Sequence, residues 1–208
     1  MRLPITRERI RNHLTYAWWQ YALLIAGAII VWNLIYTTTR YRTPEHLKVE
    51  FYCEAAVMTE DMDRIDAMLE DVRQQHMPDM EEVTFTSVGY DDNYGQMQLM
   101  VWMAAGQGDL YMLSTEKFLN VADQGSMIDL QPYVDSGLLN VEGIDLSAGY
   151  ITLSETGEKI LAGIPADSLS GFHDYALVGE DHVLSILTGC GNEDCTLTLL
   201  NWFLENMR

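Results

Sequence analysis

Apolar and polar positions divide this chain into two parts with different periodicities. An uninterrupted apolar run, Ala22 to Val31, lies inside a segment from Tyr16 to Tyr36 whose ends carry Trp18, Trp19, Tyr21, Trp32 and Tyr36. About 20 residues at 1.5 Å rise cross the ~30 Å hydrocarbon core of a bilayer. Amphipathic rings favour headgroup depth, so the run reads as a membrane span with aromatic belts. Gln20 and Asn33 stand near its two faces, where an amide costs little.

After the span the pattern alternates between periods of two and of three to four. Leu47–Tyr52 alternates and reads as a strand. A helix follows, with Thr59 as its cap, Glu60 and Asp61 at the positive end of its dipole, and Met62, Ile65, Leu69 and Val72 as its buried stripe. Pro78 stops it. Val83–Val88 is β-branched and reads as the second strand. Tyr90–Gly95 is a loop, and the next helix carries Met97, Met100, Val101 and Ala104, methionines that read as plastic core filling. Gly106 and Gly108 end that helix. Asp109–Leu113 is a third strand, Thr115–Gln124 a helix, and Ile128–Pro132 a turn. From Ser136 to Gly157 the chain is looser. Lys159–Pro165 and His182–Leu187 read as further strands, and Asn192 caps a last helix that buries Leu199, Trp202 and Phe203. Repeated βα units imply an α/β fold with a mostly parallel sheet flanked by helices.

Charge sets the orientation. Arg2, Arg7, Arg9 and Arg11 against Glu8 leave the N-terminal tail at +3, and a short basic tail stays in the cytoplasm. A cleaved signal peptide shares the basic-then-apolar pattern. However, Leu34–Arg42 offers no small-x-small cleavage site, and the residues before Cys53 do not resemble those of a lipid-modified cysteine. The expected organisation is a cytoplasmic tail over 1–15, a signal anchor over 16–37, a linker over 38–46 and an extracytoplasmic domain over 47–208.

Beyond Thr43, six Lys and Arg stand against thirty Asp and Glu, a net charge of −24. Coulomb repulsion opposes nucleic acid and anionic lipid as partners of this part. The acids are spread over every segment, as on a solvated surface, and form no calcium-loop pattern. No metal or cofactor is expected. Cys190 and Cys195 are close enough in sequence to form a disulfide in an oxidising compartment, whereas Cys53 has no evident partner. Nucleophile-elbow, zinc-helix and phosphate-loop motifs are absent, and nothing singles out two carboxylates as an acid–base pair, so catalysis is not expected.

The segment Gly108–Tyr133 (GDLYMLSTEKFLNVADQGSMIDLQPY) begins a strand with Asp, passes through a short helix and a Gly break, and reaches an apolar-Asp-Leu-x-Pro turn. With Lys159–Ala166 and Val183–Trp202, it resembles the N-terminal lobe of the extracytoplasmic solute-binding proteins of ABC importers, the sugar-binding type related to maltose-binding protein. The resemblance spans roughly Leu47 to Arg208. It implies a single lobe of the periplasmic-binding-protein type II fold, with Ala166–Glu180 in place of the second lobe. It also implies ligand contacts from the loops after the strands: Glu54 after the first, Tyr90, Asp91 and Tyr94 after the second, Ser114 and Thr115 after the third, and Asp167 past the Gly-Ile-Pro turn. A ring beside a carboxylate suits a sugar, since the ring stacks on C–H faces and the acid accepts hydroxyl hydrogens. Two functions follow as expectations. One is a membrane-tethered lobe that binds or presents a small solute to an ABC permease. The other is an interaction or assembly module, derived from such a protein, that pairs with a second lobe.

Overall fold

The computed structural model describes residues 7–177 and 181–208, which form two compact units divided between Arg42 and Thr43. Arg2, the side chains of Glu8 and Arg9, and Val178–Glu180 of the shortened crossover lie outside the described residues.

Among the described residues, the first unit holds one helix, α1 (Arg7–Thr39). Its stretch Thr15–Thr39 is long and apolar enough to cross a membrane. At its end, Thr37, Thr38 and Thr39 donate their hydroxyls to the carbonyls of Asn33, Leu34 and Ile35 at 2.9, 2.7 and 2.7 Å. These hydroxyls are therefore satisfied inside the helix.

The second unit runs β1 (Lys48–Cys53), α2 (Thr59–His76), β2 (Glu82–Ser87), α3 (Asn93–Ala104), β3 (Leu110–Ser114), α4 (Thr115–Ala122), α5 (Gln131–Asp135), β4 (Tyr150–Thr152), β5 (Lys159–Leu161), β6 (Ile164–Pro165), β7 (His182–Ile186) and α6 (Glu193–Asn206). Five strands form one sheet in the order β2-β1-β3-β7-β6, while β4 and β5 make a separate antiparallel pair. β1 pairs in parallel with β2 and β3. β7 is antiparallel to both β3 and β6, so the α/β sheet is mixed. Four strands still point one way, and β7 alone is reversed.

Period-two alternation sorts the side chains onto two faces. Val49, Phe51 and Cys53 of β1, Leu110 and Met112 of β3, and Leu184 and Ile186 of β7 join Ile65, Leu69 and Val72 of α2 and Leu199, Leu200 and Phe203 of α6 in one core. Tyr52, Tyr111, Leu113 and Val183 point the other way, onto Leu99 and Met103 of α3 and Phe118 and Val121 of α4. The helices alternate faces because β1→β2 and β2→β3 step in opposite directions, and each crossover keeps the right-handed sense. Phe203 fills the middle of the first core, with ring centroids 5.3 Å from both Phe51 and Phe172.

Several sequence expectations change. Thr59 is the first helical residue of α2 rather than its cap, which is Met58 without a side-chain bond. Asn192 precedes α6 but does not cap it by its side chain; its amide donates instead to the carbonyls of Glu45 and Lys48 at 2.8 and 2.7 Å, tying the start of β1 to α6. Trp202 is only half-buried. The expected strand Lys159–Pro165 splits between the two sheets. The largest change concerns α3. Met97, Met100 and Val101 are exposed, at 71%, 41% and 58%, and the helix buries Leu99 and Met103 in their place.

Candidate functional site

In an open α/β sheet, ligands are held outside the carboxyl ends of the strands, where the chain order reverses. Here the order 2-1-3 puts that point between β1 and β3. Glu54 is the first residue after β1 and Ser114 is the last of β3. The register places Cys53 opposite Met112, so Glu54 and Ser114 meet across the crevice.

Glu54 is buried, and both of its carboxylate oxygens are engaged. Oε2 accepts from Ser114 N at 3.0 Å and Ser114 Oγ at 2.7 Å, and Oε1 accepts from Lys117 Nζ at 2.6 Å. Burial by itself would raise this carboxyl's pKa. The Lys117 ammonium and the Ser114 donors outweigh it, holding the group below the ordinary carboxylate range. Lys117 also donates to Gln96 Oε1, and Gln96 Nε2 donates to Gly89 O at 2.9 Å. The network thus crosses from β1 through α4 to α3 and the loop after β2. An open groove of about 330 Å³ lies over it, lined by Glu54, Met100, Ser114, Glu116, Lys117, Asn120 and Val121.

The reversal of β7 brings a second set of residues to the same end, because its first residue lies where the other strands finish. Ser114 is registered with His182. The His182 ring is buried, with Nε2 2.6 Å from Tyr90 Oη and 3.2 Å from Glu54 O. Burial, reinforced by the nearby Cys53 and Glu54, pushes the Tyr90 hydroxyl up to about 12. Thr115 donates its N–H to Asp181 O at 2.7 Å and its hydroxyl to the same atom at 3.0 Å, and Asp181 N donates to Asp167 Oδ1 at 3.1 Å.

The seven residues singled out in the sequence therefore lie at one end of the sheet, in three groups. Glu54, Ser114 and Tyr90 are linked through direct bonds and His182. Thr115 and Asp167 are linked through Asp181. Asp91 and Tyr94 project into solvent at the entry to α3, Tyr94 at 78% exposure, next to Asp92, whose Oδ1 accepts from Gly95 N at 2.9 Å and caps the helix. Sequence reasoning missed Lys117, Gln96 and the role of His182. A signal for Lys117 was present: it is the only Lys or Arg between Arg73 and Lys159 in a strongly acidic stretch.

A carboxylate held ionised, with both oxygens bonded, is a poor proton acceptor, and Ser114 Oγ donates to it rather than to a basic imidazole. The arrangement fixes these donors and acceptors in place. Among the described residues, no group of three His, Cys, Asp or Glu is placed to hold a metal ion. Cys190 and Cys195, the candidate disulfide pair, both carry free thiols here, and Cys53 is buried as a small apolar residue.

No protein-family model matches the sequence, and no curated protein matches it. Solved structures do. A family 1 extracellular solute-binding protein from Alicyclobacillus acidocaldarius is 20% identical over 57% of this chain and 27% of its own, with a TM-score of 0.43. The galacto-N-biose-/lacto-N-biose I-binding protein of the ABC transporter from Bifidobacterium longum is 17% identical over 60% and 29%, at 0.40. The maltose-binding protein of Listeria monocytogenes is 15% identical over 59% and 27%, at 0.38. This chain spans less than a third of the length of each. The solved structures that this chain is similar to include extracellular solute-binding proteins of family 1.

Proposed function

We propose that the Thr43–Arg208 unit is a solute-binding-like lobe, held at the outer face of a membrane by α1, that takes a small polar solute at the carboxyl ends of β1 and β3. A carbohydrate is the class that fits best. One observation carries this reading: a fixed polar floor of Glu54, Lys117 and Ser114, braced by Gln96, lies beneath a groove, and the half-exposed ring of Tyr90 is joined to Glu54 through His182. Sugar hydroxyls pair with such a floor, and sugar C–H faces stack on such a ring. The same reading makes an ABC permease, or a protein supplying the second lobe, the partner. The basic tail ahead of α1 supports an inside N-terminus. One wall encloses a solute less than two do, so affinity is expected to be weak.

A second reading, an interaction or assembly module, is favoured by the exposed apolar side chains of α3.

Thermal unfolding of the full chain in a mild detergent, against a panel of mono- and oligosaccharides, tests the first reading. A binder at about 100 times its Kd adds about 2.7 kcal/mol of stability. The shift should vanish in Tyr90→Ala and Asp91→Ala. A cooperative melt that no saccharide moves would overturn the carbohydrate reading.

A further inference from the structure

Apart from Met100, which lines the groove, the outer face of α3 has no role in the solute-binding reading. From Asn93 to Gly108 the chain holds no charged residue, although 21% of its residues are charged overall. The helix within this stretch is uncharged and carries apolar side chains on its solvent face as well as its core face, a pattern closer to that of buried helices. Yet Tyr94, Met97, Met100 and Val101 are exposed at 78%, 71%, 41% and 58%, and Ala104 is exposed with them. Tyr94, Met97, Val101 and Ala104 follow one another at spacings of three, four and three, the a/d seam of a two-helix coiled coil. Leu99 and Met103, which hold α3 on its own core, occupy the opposite side.

We infer that two copies of this chain pair through α3, antiparallel across a twofold axis. The area suffices. These five side chains expose on the order of 500 Å² per copy, so two copies reach the ~1,000 Å² that a specific interface needs. The shapes match as well. Antiparallel pairing about the middle of the seam sets Met97 against the partner's Val101 and Tyr94 against the partner's Ala104, large against small.

Charge selects a second copy over a partner of opposite sign. The seam offers no charge for a basic or acidic partner to meet, so a neutral apolar helix is its complement, and α3 is one. The nearby acids Asp91 and Asp92 sit at its N-terminal end. In an antiparallel pair they face the neutral Ala105–Gln107 of the partner. The two acidic ends then lie about 18 Å apart along the twelve-residue helix, well beyond the ~8 Å Debye length at physiological salt. A parallel pair would put acid on acid. The overall −24 of each domain still opposes association, which makes the pairing salt-dependent in a defined direction: added salt strengthens it.

Sedimentation velocity of the full chain in a mild non-ionic detergent, at low and high NaCl, tests this. The native chain should populate dimers that tighten with salt. In M97E/V101E, acid faces acid at both central contacts, and dimerisation should weaken by more than about tenfold. In M97K/V101E each new lysine faces the partner's new glutamate, so dimers should return and now loosen with salt. Near-UV circular dichroism checks that these surface variants keep the native packing. A native chain that stays monomeric overturns the proposal and assigns the face to another occupant. Dimers indifferent to M97E/V101E also overturn it, placing the contact elsewhere, as α1 pairing would. A charge-swapped variant no better than the double acid overturns the antiparallel register. The readout is mass, not solute affinity, so this test and the saccharide melt can fail independently.

Discussion

Replacing Lys117 with Met probes the floor of the crevice most directly. Glu54 has only 6% of its side chain exposed, and Lys117 has 19%. Removing one partner of a buried pair typically costs about 3–5 kcal/mol, because the other charge is left without compensation. Here Ser114 N and Oγ remain on Oε2, and the partly open position of Lys117 admits water to Oε1. The expected loss at pH 7 is therefore smaller, about 2–3 kcal/mol. The pH dependence gives the sharper test. In the native chain the folded pKa of Glu54 lies below its unfolded value, so its contribution is complete above about pH 4.3 and is lost as pH falls through the lower folded value. Without Lys117, burial is opposed by Ser114 alone and the folded pKa rises. The variant then takes up its proton first, and its deficit shrinks as pH falls through about 4. Urea titrations at pH 7 and pH 4, followed by near-UV circular dichroism, measure both quantities. E54Q/K117M should recover at least half of the loss, since a neutral amide carries no buried charge. A deficit under about 0.5 kcal/mol at pH 7, or one that does not change with pH, would refute the reasoning.

Two further predictions concern the frame around the site. Asp109 accepts from Glu50 N at 2.8 Å, and burial, partly offset by that bond and reinforced by the Glu50 charge, pushes its carboxyl up to about 6. A folded pKa above the unfolded ~3.9 means that ionisation costs stability as pH rises from about 4 to 6. Asp109→Asn keeps an oxygen acceptor and should be more stable than native above pH 6, on the order of 1 kcal/mol, with the difference gone below pH 4 in parallel urea titrations. A methyl group at Gly163 would meet the Val183 side chain and lie 2.9 Å from both Leu184 O and Phe118 Cε2. Gly163→Ala should therefore destabilise by about 2–3 kcal/mol, seen as a lowered thermal midpoint.

Sequence periodicity located most strands and helices of the second unit to within a few residues, though not β4 or α5, and the family resemblance then pointed to the loops that meet at the crevice. It failed where the answer depended on what lies against an element. Met97, Met100 and Val101 share a helical face in the sequence, but nothing local tells a face turned to the sheet from one turned to solvent. Leu99 and Met103 won the core because α3 packs beside Tyr52 and Tyr111. Asn192 carries the side chain of a cap, yet two carbonyls at the start of β1 lie within its reach and take its amide instead. Lys117 could have been noticed as an isolated cation, but its partner, 63 residues earlier, could not be.

What the sequence determined by itself were properties of local and summed character: an apolar helix of bilayer length, an acidic second unit, the alternation of strands and helices, and residue types suited to recognition. Each rests on spacing or composition along the chain, and these do not change on folding. The tertiary structure decided strand direction and what each side chain meets. The antiparallel placement of β7 on the edge of β3 away from β1 joins residues far apart in the chain, a long-range outcome that no window of sequence contains. That one reversal carries His182 and Asp181 to the end of the sheet where Glu54, Ser114 and Tyr90 already stand, and so completes the candidate site.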